Sequence, residues 1–131
     1  MVVNISDVKN GNYDAVQAEI AALKKITGDK ILKVIIETCY LTEEEKIAMC
    51  KAVTAAGADY IKTSTGFGTA GANTGRQLRL FRENIGPDVK MKAAGGVKTV
   101  ADMEAFLEAG CDRIGTSSAI QLIQGEQTSG Y

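Results

Sequence analysis

The feature that most constrains the fold is a regular alternation between short apolar runs and longer segments with helical spacing of apolar residues. New runs start near Met1, Ile31, Asp59, Val89 and Asp112. The step is about thirty residues, shortening at the end, which is the length of one strand and one helix in a parallel sheet. Nearly continuous apolar runs are typical of strands covered on both faces. The pattern predicts one α/β domain over residues 1–131, built from about five parallel βα units.

The helical segments carry their own start and stop signals. Thr42 and Thr99 are each followed three residues later by an acidic residue, the spacing of a capping box. Gly57 and Gly110 follow these two helices and supply positive φ at their ends. Further amphipathic helices are predicted over residues 13–26 and 76–85. Two closures fit such units: an open doubly wound sheet, or part of a closed barrel, which normally needs about 250 residues.

Composition excludes several functional classes. The chain has 15 Lys and Arg against 16 Asp and Glu, so no overall basic field favours nucleic-acid binding. The absence of His excludes His-based metal sites and Ser-His or Cys-His nucleophile pairs. Three widely spaced cysteines, Cys39, Cys50 and Cys111, predict reduced, buried thiols rather than disulfides or a zinc cluster. Without a signal peptide or a long apolar run, we expect a soluble cytoplasmic protein with no membrane partner.

Two lysines interrupt apolar strands just before glycine turns. Lys62 precedes Gly66, and Lys92 precedes Gly95. Carboxyl ends of parallel strands are where α/β proteins bind ligands, so both amines are expected in one pocket. Two neighbouring ammonium groups disfavour each other's protonation, which leaves one amine free to attack a carbonyl and form a Schiff base. The alternative is that each lysine ends a strand and extends its amine to water.

A supporting candidate, Lys33, shares strand parity with Glu37. The two residues form either an ion pair that orients the site or an ordinary structural contact. Parity alone does not distinguish these alternatives.

Small polar residues gather at the later strand ends. The pair Gly95-Gly96 permits close backbone approach to an anion, and Thr116-Ser-Ser118 opens a last short helix. Amides and hydroxyls in these positions predict a phosphate site, which barrels commonly form after their last two strands. The alternatives are a plain glycine turn and an ordinary helix cap. Neither segment has the spacing of a Walker loop or a dinucleotide fingerprint.

Four motifs in unbroken order from Met1 to about Ile123 closely resemble those of deoxyribose-phosphate aldolases. They are Lys33-Val-Ile-Ile-Glu-Thr38, Tyr60-Ile-Lys-Thr-Ser-Thr-Gly-Phe-Gly68, Lys92-Ala-Ala-Gly-Gly-Val97 and Arg113-Ile-Gly-Thr-Ser-Ser118. The resemblance implies a partial (β/α)8 TIM barrel, strands 4–8 of the family barrel. It also implies a class I lyase without metal or cofactor, which cleaves the phosphorylated sugar 2-deoxy-D-ribose 5-phosphate to D-glyceraldehyde 3-phosphate and acetaldehyde in deoxyribonucleotide catabolism.

The resemblance assigns roles to particular residues. Lys62 matches the lysine that forms the imine, and Lys92 matches the second lysine, which perturbs the first and takes part in proton transfer. Tyr131 ends a tail, expected to be mobile over residues 124–131, and matches a tyrosine that assists proton transfer; an inert terminal residue is the alternative. Lys98 and Phe67 stand where some relatives carry Arg and a phosphate-facing Lys. The implied phosphate cradle comprises Gly66, Gly95, Gly96, Gly115, Ser117 and Ser118.

The resemblance also marks a departure. Family chains carry three further strand-helix units before the segment that matches Met1–Ile5, and an Asp of the proton relay just before the counterpart of Met1. An open remnant exposes a strand edge and apolar side chains, so we expect a homo-oligomer or association with a complementing fragment. Two other functions stay open: a catalytically silent half-barrel that binds phosphorylated ligands or a barrel fragment, and a different phosphosugar enzyme on a similar barrel.

Overall fold

The computed structural model describes residues 1–68 and 73–125. In these residues the predicted alternation is realised as one parallel sheet with helices between the strands. The strands are β1 (Lys33–Ile35), β2 (Tyr60–Lys62), β3 (Lys90–Ala94) and β4 (Arg113–Gly115). The α-helices are α1 (Ile5–Lys9), α2 (Tyr13–Thr27), α3 (Glu43–Ala55), α4 (Gly75–Asn84), α5 (Val100–Glu108) and α6 (Ala119–Ile123), and a 3-10 turn covers Thr38–Tyr40.

The order of the strands in the sheet distinguishes between the two closures that the sequence left open. Neighbouring strands follow chain order, β1-β2-β3-β4, without a reversal. A doubly wound sheet changes direction at a switch point, whereas a barrel adds each strand on the same side of the last one. The observed order is that of a barrel segment.

The first predicted strand is shorter than expected. Val2 forms an isolated parallel bridge to Ile35, and Val3 N donates to Ile35 O at 2.9 Å. Asn4 then ends the extended segment, because its side chain accepts from Asp7 N and caps α1. The apolar run that starts at Met1 therefore contributes only this short extended segment to the sheet.

The predicted helix signals are confirmed. Thr42 and Glu45 form a complete capping box at α3, and Thr99 and Asp102 form another at α5. Each box satisfies backbone donors that a helix start otherwise leaves without partners. These caps fix where α3 and α5 begin after the loops that follow β1 and β3.

The two faces of the sheet carry different chemistry. Alternate strand residues point to opposite faces, and one set is buried in the core together with residues of the helices. That set comprises Val34, Ile61, Met91 and Ala93. The other face, here called the inner face, carries Lys33, Tyr60, Lys62, Lys90, Lys92 and Arg113. The inner face is therefore mainly basic, which is more polar than the exposed apolar surface predicted for an open remnant.

Aspartates at the amino ends of two strands hold the register. Asp59 accepts hydrogen bonds from Leu32 N and Lys24 Nζ, both at 2.7 Å, and Asp112 accepts from Met91 N at 2.9 Å. Each carboxylate ties its own strand to the strand before it. Among the described residues, no helix is long and apolar enough to span a bilayer.

Candidate active site

Lys62 and Lys92 lie side by side near the carboxyl end of the sheet. Lys62 is the last residue of β2, and its register partner on β3 is Lys92. Register partners on parallel strands point to the same face, and the strands lie about 4.8 Å apart. Both lysines are half-buried. The prediction that neighbouring strands place the two amines on one side of the sheet agrees with this register.

The surroundings of Lys62 favour its neutral form. Burial, followed by the positive charge of Lys92, lowers the pKa of the Lys62 amine. The charge of Lys33 acts in the same direction, while the carboxylate of Glu37 opposes it. A lysine with a lowered pKa is the chemical requirement for an amine nucleophile near neutral pH.

Lys33 and Glu37 do not form an ion pair in the described part of the chain. The Lys33 ammonium instead lies over the ring of buried Tyr60, 5.6 Å from its centroid. The Arg113 guanidinium contacts the same ring at 5.1 Å. These cation–π contacts hold both cations against Tyr60, the residue two positions before Lys62. Glu37 bonds elsewhere, to Thr65.

A buried network that the sequence did not reveal connects the ends of three strands. Asn73, 7% exposed, accepts from Thr38 Oγ1 at 3.0 Å and donates through Nδ2 to Ser64 Oγ at 3.1 Å and to Ala94 O. Beside it, Thr63 Oγ1 accepts from Ala94 N at 3.0 Å. The segments after β1, β2 and β3 are thereby held together. Thr63 belongs to one of the four motifs shared with the aldolases, but Asn73 follows a Gly/Ala-rich stretch of sequence that carries no recognisable signal.

The implied phosphate cradle lies at the same end of the sheet. Ala94 and Gly115 are register partners, so Gly95-Gly96 and Thr116-Ser-Ser118 leave neighbouring strands side by side. Gly95 and Gly96 have φ of 84° and 82°, a conformation that turns the chain and that other residues rarely adopt. Ser118 is buried and Ser117 exposed. Because α6 has only five residues, the backbone amides rather than a helix dipole are what this loop offers an anion.

Gly66 and Gly115 differ in what they contribute. Gly66 turns the chain after β2 with φ 103°. Gly115 has no positive φ, but a Cβ there would lie 3.2 Å from Lys92 Cε and 3.3 Å from Ala94 Cβ. Its missing side chain therefore leaves space for the Lys92 stem. Phe67, next to Gly66, is 92% exposed.

The remaining candidates fall outside this cluster. Tyr131 and the tail from residue 126 lie outside the described residues, as do residues 69–72. Cys50 and Cys111 are buried free thiols, as predicted, and Cys39 is half-buried. No group of three His, Cys, Asp or Glu in the described ranges is placed to hold a metal ion.

Comparison with known proteins identifies relatives of the whole chain. The deoxyribose-phosphate aldolase of Clostridium botulinum (strain Eklund 17B / Type B) is 70% identical over 131 residues, all of this chain and 59% of that protein. The structure of QR15, an aldolase, matches with a TM-score of 0.85 and 40% identity over 95% of this chain and 56% of that one. The tetrameric deoxyribose phosphate aldolase from Aeropyrum pernix matches with a TM-score of 0.76 and 28% identity, over 86% and 49% of the two chains.

No protein-family model matches. The parallel strands with alternating helices, together with these matches, make the fold a partial (β/α)8 barrel. The chain spans about three fifths of the length of its curated relative. It is homologous throughout to the deoxyribose-phosphate aldolases, and the extent of the match is consistent with a C-terminal portion of such an enzyme.

Proposed function

We propose that this chain carries the imine-forming and phosphate-binding part of a class I deoxyribose-phosphate aldolase. The observation that carries the proposal is the register pairing of Lys62 with Lys92 on the inner face. Homology to enzymes named for this activity supports it. The substrate is a phosphorylated deoxy sugar, 2-deoxy-D-ribose 5-phosphate.

The chemistry begins with the neutral amine of Lys62. Its nitrogen attacks the aldehyde carbon of the open-chain sugar, and water leaves to give an imine. The bond between carbons 2 and 3 then breaks, its electron pair enters the imine to give an enamine, and the hydroxyl on carbon 3 loses its proton. That fragment leaves as glyceraldehyde 3-phosphate. The enamine is protonated at carbon 2, and water releases acetaldehyde from Lys62.

Lys92 supports this sequence in two ways. Its charge lowers the pKa of Lys62, so that more of the nucleophilic amine is present at neutral pH. Its position beside Lys62 is also suited to donating and accepting the protons that the carbon-carbon cleavage moves. Tyr131 is proposed, on the resemblance alone, to assist the protonation of carbon 2.

The phosphate is proposed to bind at the carboxyl ends of β3 and β4. Gly95 and Gly96 turn there with positive φ, and the Ser117-Ser118 segment leaves the neighbouring strand beside them. Backbone amides and hydroxyls in such loops bind phosphate oxygens by hydrogen bonds. Gly66 and Gly115 complete the proposed cradle.

A second chain or a complementing segment is proposed to complete the barrel. The sheet has β4 at one edge and the Met1–Val3 segment at the other, and open edges of this kind favour further strand pairing. The related Aeropyrum pernix enzyme is tetrameric. A dilution-resistant monomer in sedimentation would contradict this part of the proposal.

The test is reductive trapping of the imine. The chain is incubated with acetaldehyde and cyanoborohydride, and peptides are analysed by mass spectrometry. One ethyl group is expected on Lys62 and is expected to disappear in Lys62→Leu. Lys90→Leu is the matched control, since Lys90 is an exposed lysine at the start of β3. Labelling equal at Lys62 and Lys90, or no adduct on Lys62, removes the enzymatic proposal.

The alternative function is a catalytically silent half-barrel that binds phosphorylated ligands. It is supported by the fact that this chain covers only 59% of its relative. It predicts binding of the sugar phosphate without trapping or turnover. Turnover with and without an added N-terminal segment separates the two functions.

A further inference from the structure

Glu37 occupies an unusual position between β1 and the turn that follows. It is 5% exposed, and its φ of 50° and ψ of 66° place it in the left-handed region. No other residue except glycine has a positive φ in the part of the chain that the structure describes. This backbone conformation is unfavourable for a residue with a side chain and persists where the surrounding contacts hold it.

The contacts of Glu37 lie on the segment that follows Lys62. Its Oε1 accepts from Thr65 N at 3.1 Å, and its Oε2 accepts from Thr65 Oγ1. Thr65 Oγ1 in turn accepts from Phe67 N at 3.1 Å. A Cβ at Gly68 would lie 3.3 Å from Glu37 Oε1 and overlap the Cys39 sulfur, so the segment rests directly against the carboxylate.

The Glu37 carboxylate connects the segments that follow β1 and β2, beyond their last backbone hydrogen bond. Ile36 N donates to Lys62 O at 3.1 Å, and Thr38 N donates to Thr63 O at 2.9 Å. Beyond Thr63 no further backbone hydrogen bond joins the two segments among the described residues, and Glu37 supplies the next connection through Thr65. The last backbone bonds and the carboxylate therefore form one continuous attachment from Lys62 to Thr65.

We propose that Glu37 is a positioning residue for Lys62: its buried carboxylate fastens Thr65 and supplies the negative charge that faces the lysine amine. The inference rests on the proposed function for its catalytic meaning. Its physical content, a coupling between Glu37 and Lys62, is measurable on the chain without turnover.

The charges around Lys62 define the expected sign. The inner face presents Lys33 from β1, Lys90 and Lys92 from β3 and Arg113 from β4, while Glu37 is the carboxylate that acts on Lys62 among the described residues. Burial, Lys92 and Lys33 lower the pKa of Lys62, and Glu37 raises it. Removal of the Glu37 charge is therefore expected to lower that pKa further, moving the onset of amine reactivity to lower pH.

The experiment compares wild type with Glu37→Gln across about pH 6 to 11, the range in which such an amine titrates. Lys62 reactivity is measured by acetic anhydride labelling and peptide mass spectrometry, and by acetaldehyde trapping with cyanoborohydride. Gln keeps an acceptor for Thr65 N but removes the charge. Glu44→Gln, an exposed carboxylate of α3, is the matched control. We expect the midpoint of Lys62 labelling to move to lower pH in Glu37→Gln and to stay unchanged in Glu44→Gln.

A second experiment measures the hydrogen bonding between Glu37 and Thr65. Replacing Thr65 by Val removes the hydroxyl donor but leaves the Glu37 charge in place. Amide hydrogen exchange over residues 65–68 is expected to accelerate about tenfold, the loss of one charge-assisted hydrogen bond, with little movement of the labelling midpoint. If Glu37→Gln does not fold, Thr65→Val still tests whether Glu37 holds the segment after Lys62.

The outcomes separate this inference from the proposed function. Superimposable labelling profiles for wild type and Glu37→Gln, a shift to higher pH, or unchanged exchange in Thr65→Val would overturn the role of Glu37. If the labelling midpoint differs between wild type and Glu37→Gln as expected but wild type traps no acetaldehyde, the coupling is retained and the aldolase function is refuted.

Discussion

Lys62 and Lys92 are direct register partners on adjacent parallel strands, so their side chains leave the same face of the sheet. The pairing depends on the whole register of β2 and β3, because a slip of one residue would turn one lysine toward the helices. Backbone hydrogen bonds at both ends of the pair hold that register: Lys90 N donates to Asp59 O at 3.0 Å, and Thr63 N donates to Lys92 O at 3.1 Å. The chemistry of the pair is therefore a consequence of how the strands are aligned.

Replacing Lys92 by Met removes one of the charges that lower the pKa of Lys62 while keeping a long side chain. The pKa of Lys62 is expected to rise, yet to stay below its usual value of 10.5, because burial is the larger cause. An amine with a higher pKa is neutral only at higher pH, so the midpoint of acetaldehyde trapping should move upward. Lys90→Met, a lysine of the same strand, is the control. A midpoint that moves equally in both variants would show that Lys92 has no special effect.

Adding a methyl group at Gly115 tests the space beside Lys92. The backbone there accepts Ala, but the new Cβ would lie 3.2 Å from Lys92 Cε and 3.3 Å from Ala94 Cβ. We expect Gly115→Ala to lower the free energy of unfolding by about 1–3 kcal/mol, as overpacking does, and to slow trapping at Lys62. Gly75→Ala is the matched control, since its Cβ meets only ordinary contacts at the start of α4. Equal urea midpoints and trapping rates in the two variants would contradict this account.

Replacing Asn73 by Ala removes the centre of the network that joins the three strand ends. The Thr38 hydroxyl and the Ala94 carbonyl each lose a buried partner. A buried polar group without a partner costs about 1–3 kcal/mol, which is the expected destabilisation in urea unfolding. Asn84→Ala, which removes a bond within α4 to Leu80 O, is expected to cost less. A smaller effect at Asn73 than at Asn84 would show that the network adds little stability.

The parts of the fold that the sequence predicted are those set by local pattern. The capping boxes at Thr42 and Thr99 depend on residues three apart, and the strand runs depend on contiguous apolar residues. The apolar run that starts at Met1 forms only a short extended segment because Asn4 caps α1, and the run alone does not show this. Lys62 and Lys92, which stand at matching positions before glycine turns, are register partners on one face of the sheet, and their common pocket stays a prediction.

The parts of the site that the sequence did not predict depend on contacts between distant segments. Glu37 has the parity of an ion-pair partner for Lys33, but its left-handed backbone directs it to Thr65. Lys33 is held instead by the ring of Tyr60. Asn73 reaches Thr38 and Ala94 across 35 and 21 positions of the chain. Spacing within one segment carries no information about such partners.

The cysteines should differ in reactivity. Burial raises the pKa of Cys50 to about 12 and that of Cys111 to about 11, whereas Cys39 is half-buried. At pH 8 a thiol with a pKa of about 11 is ionised in about one molecule in a thousand. Iodoacetamide should therefore modify Cys39 first in the folded chain, and the other two only after unfolding in urea. Modification of Cys50 at the rate of Cys39 in the folded chain would contradict the burial.

The stability contributed by Asp59 should depend on pH. Its hydrogen bond with Lys24, and then that with Leu32 N, lowers the pKa of the Asp59 carboxyl. A folded-state pKa below the unfolded value of about 3.9 gives stability that is fully present above that value and is lost as the pH falls through the folded-state pKa. Asp59→Asn should therefore unfold at lower urea concentration than wild type at pH 7, and the difference should shrink below about pH 4. Asp29→Asn, whose carboxylate is 84% exposed, should show neither effect. A difference between wild type and Asp59→Asn that stays constant down to the acid limit would mean that the side-chain shape, and not the charge, holds β1 against β2.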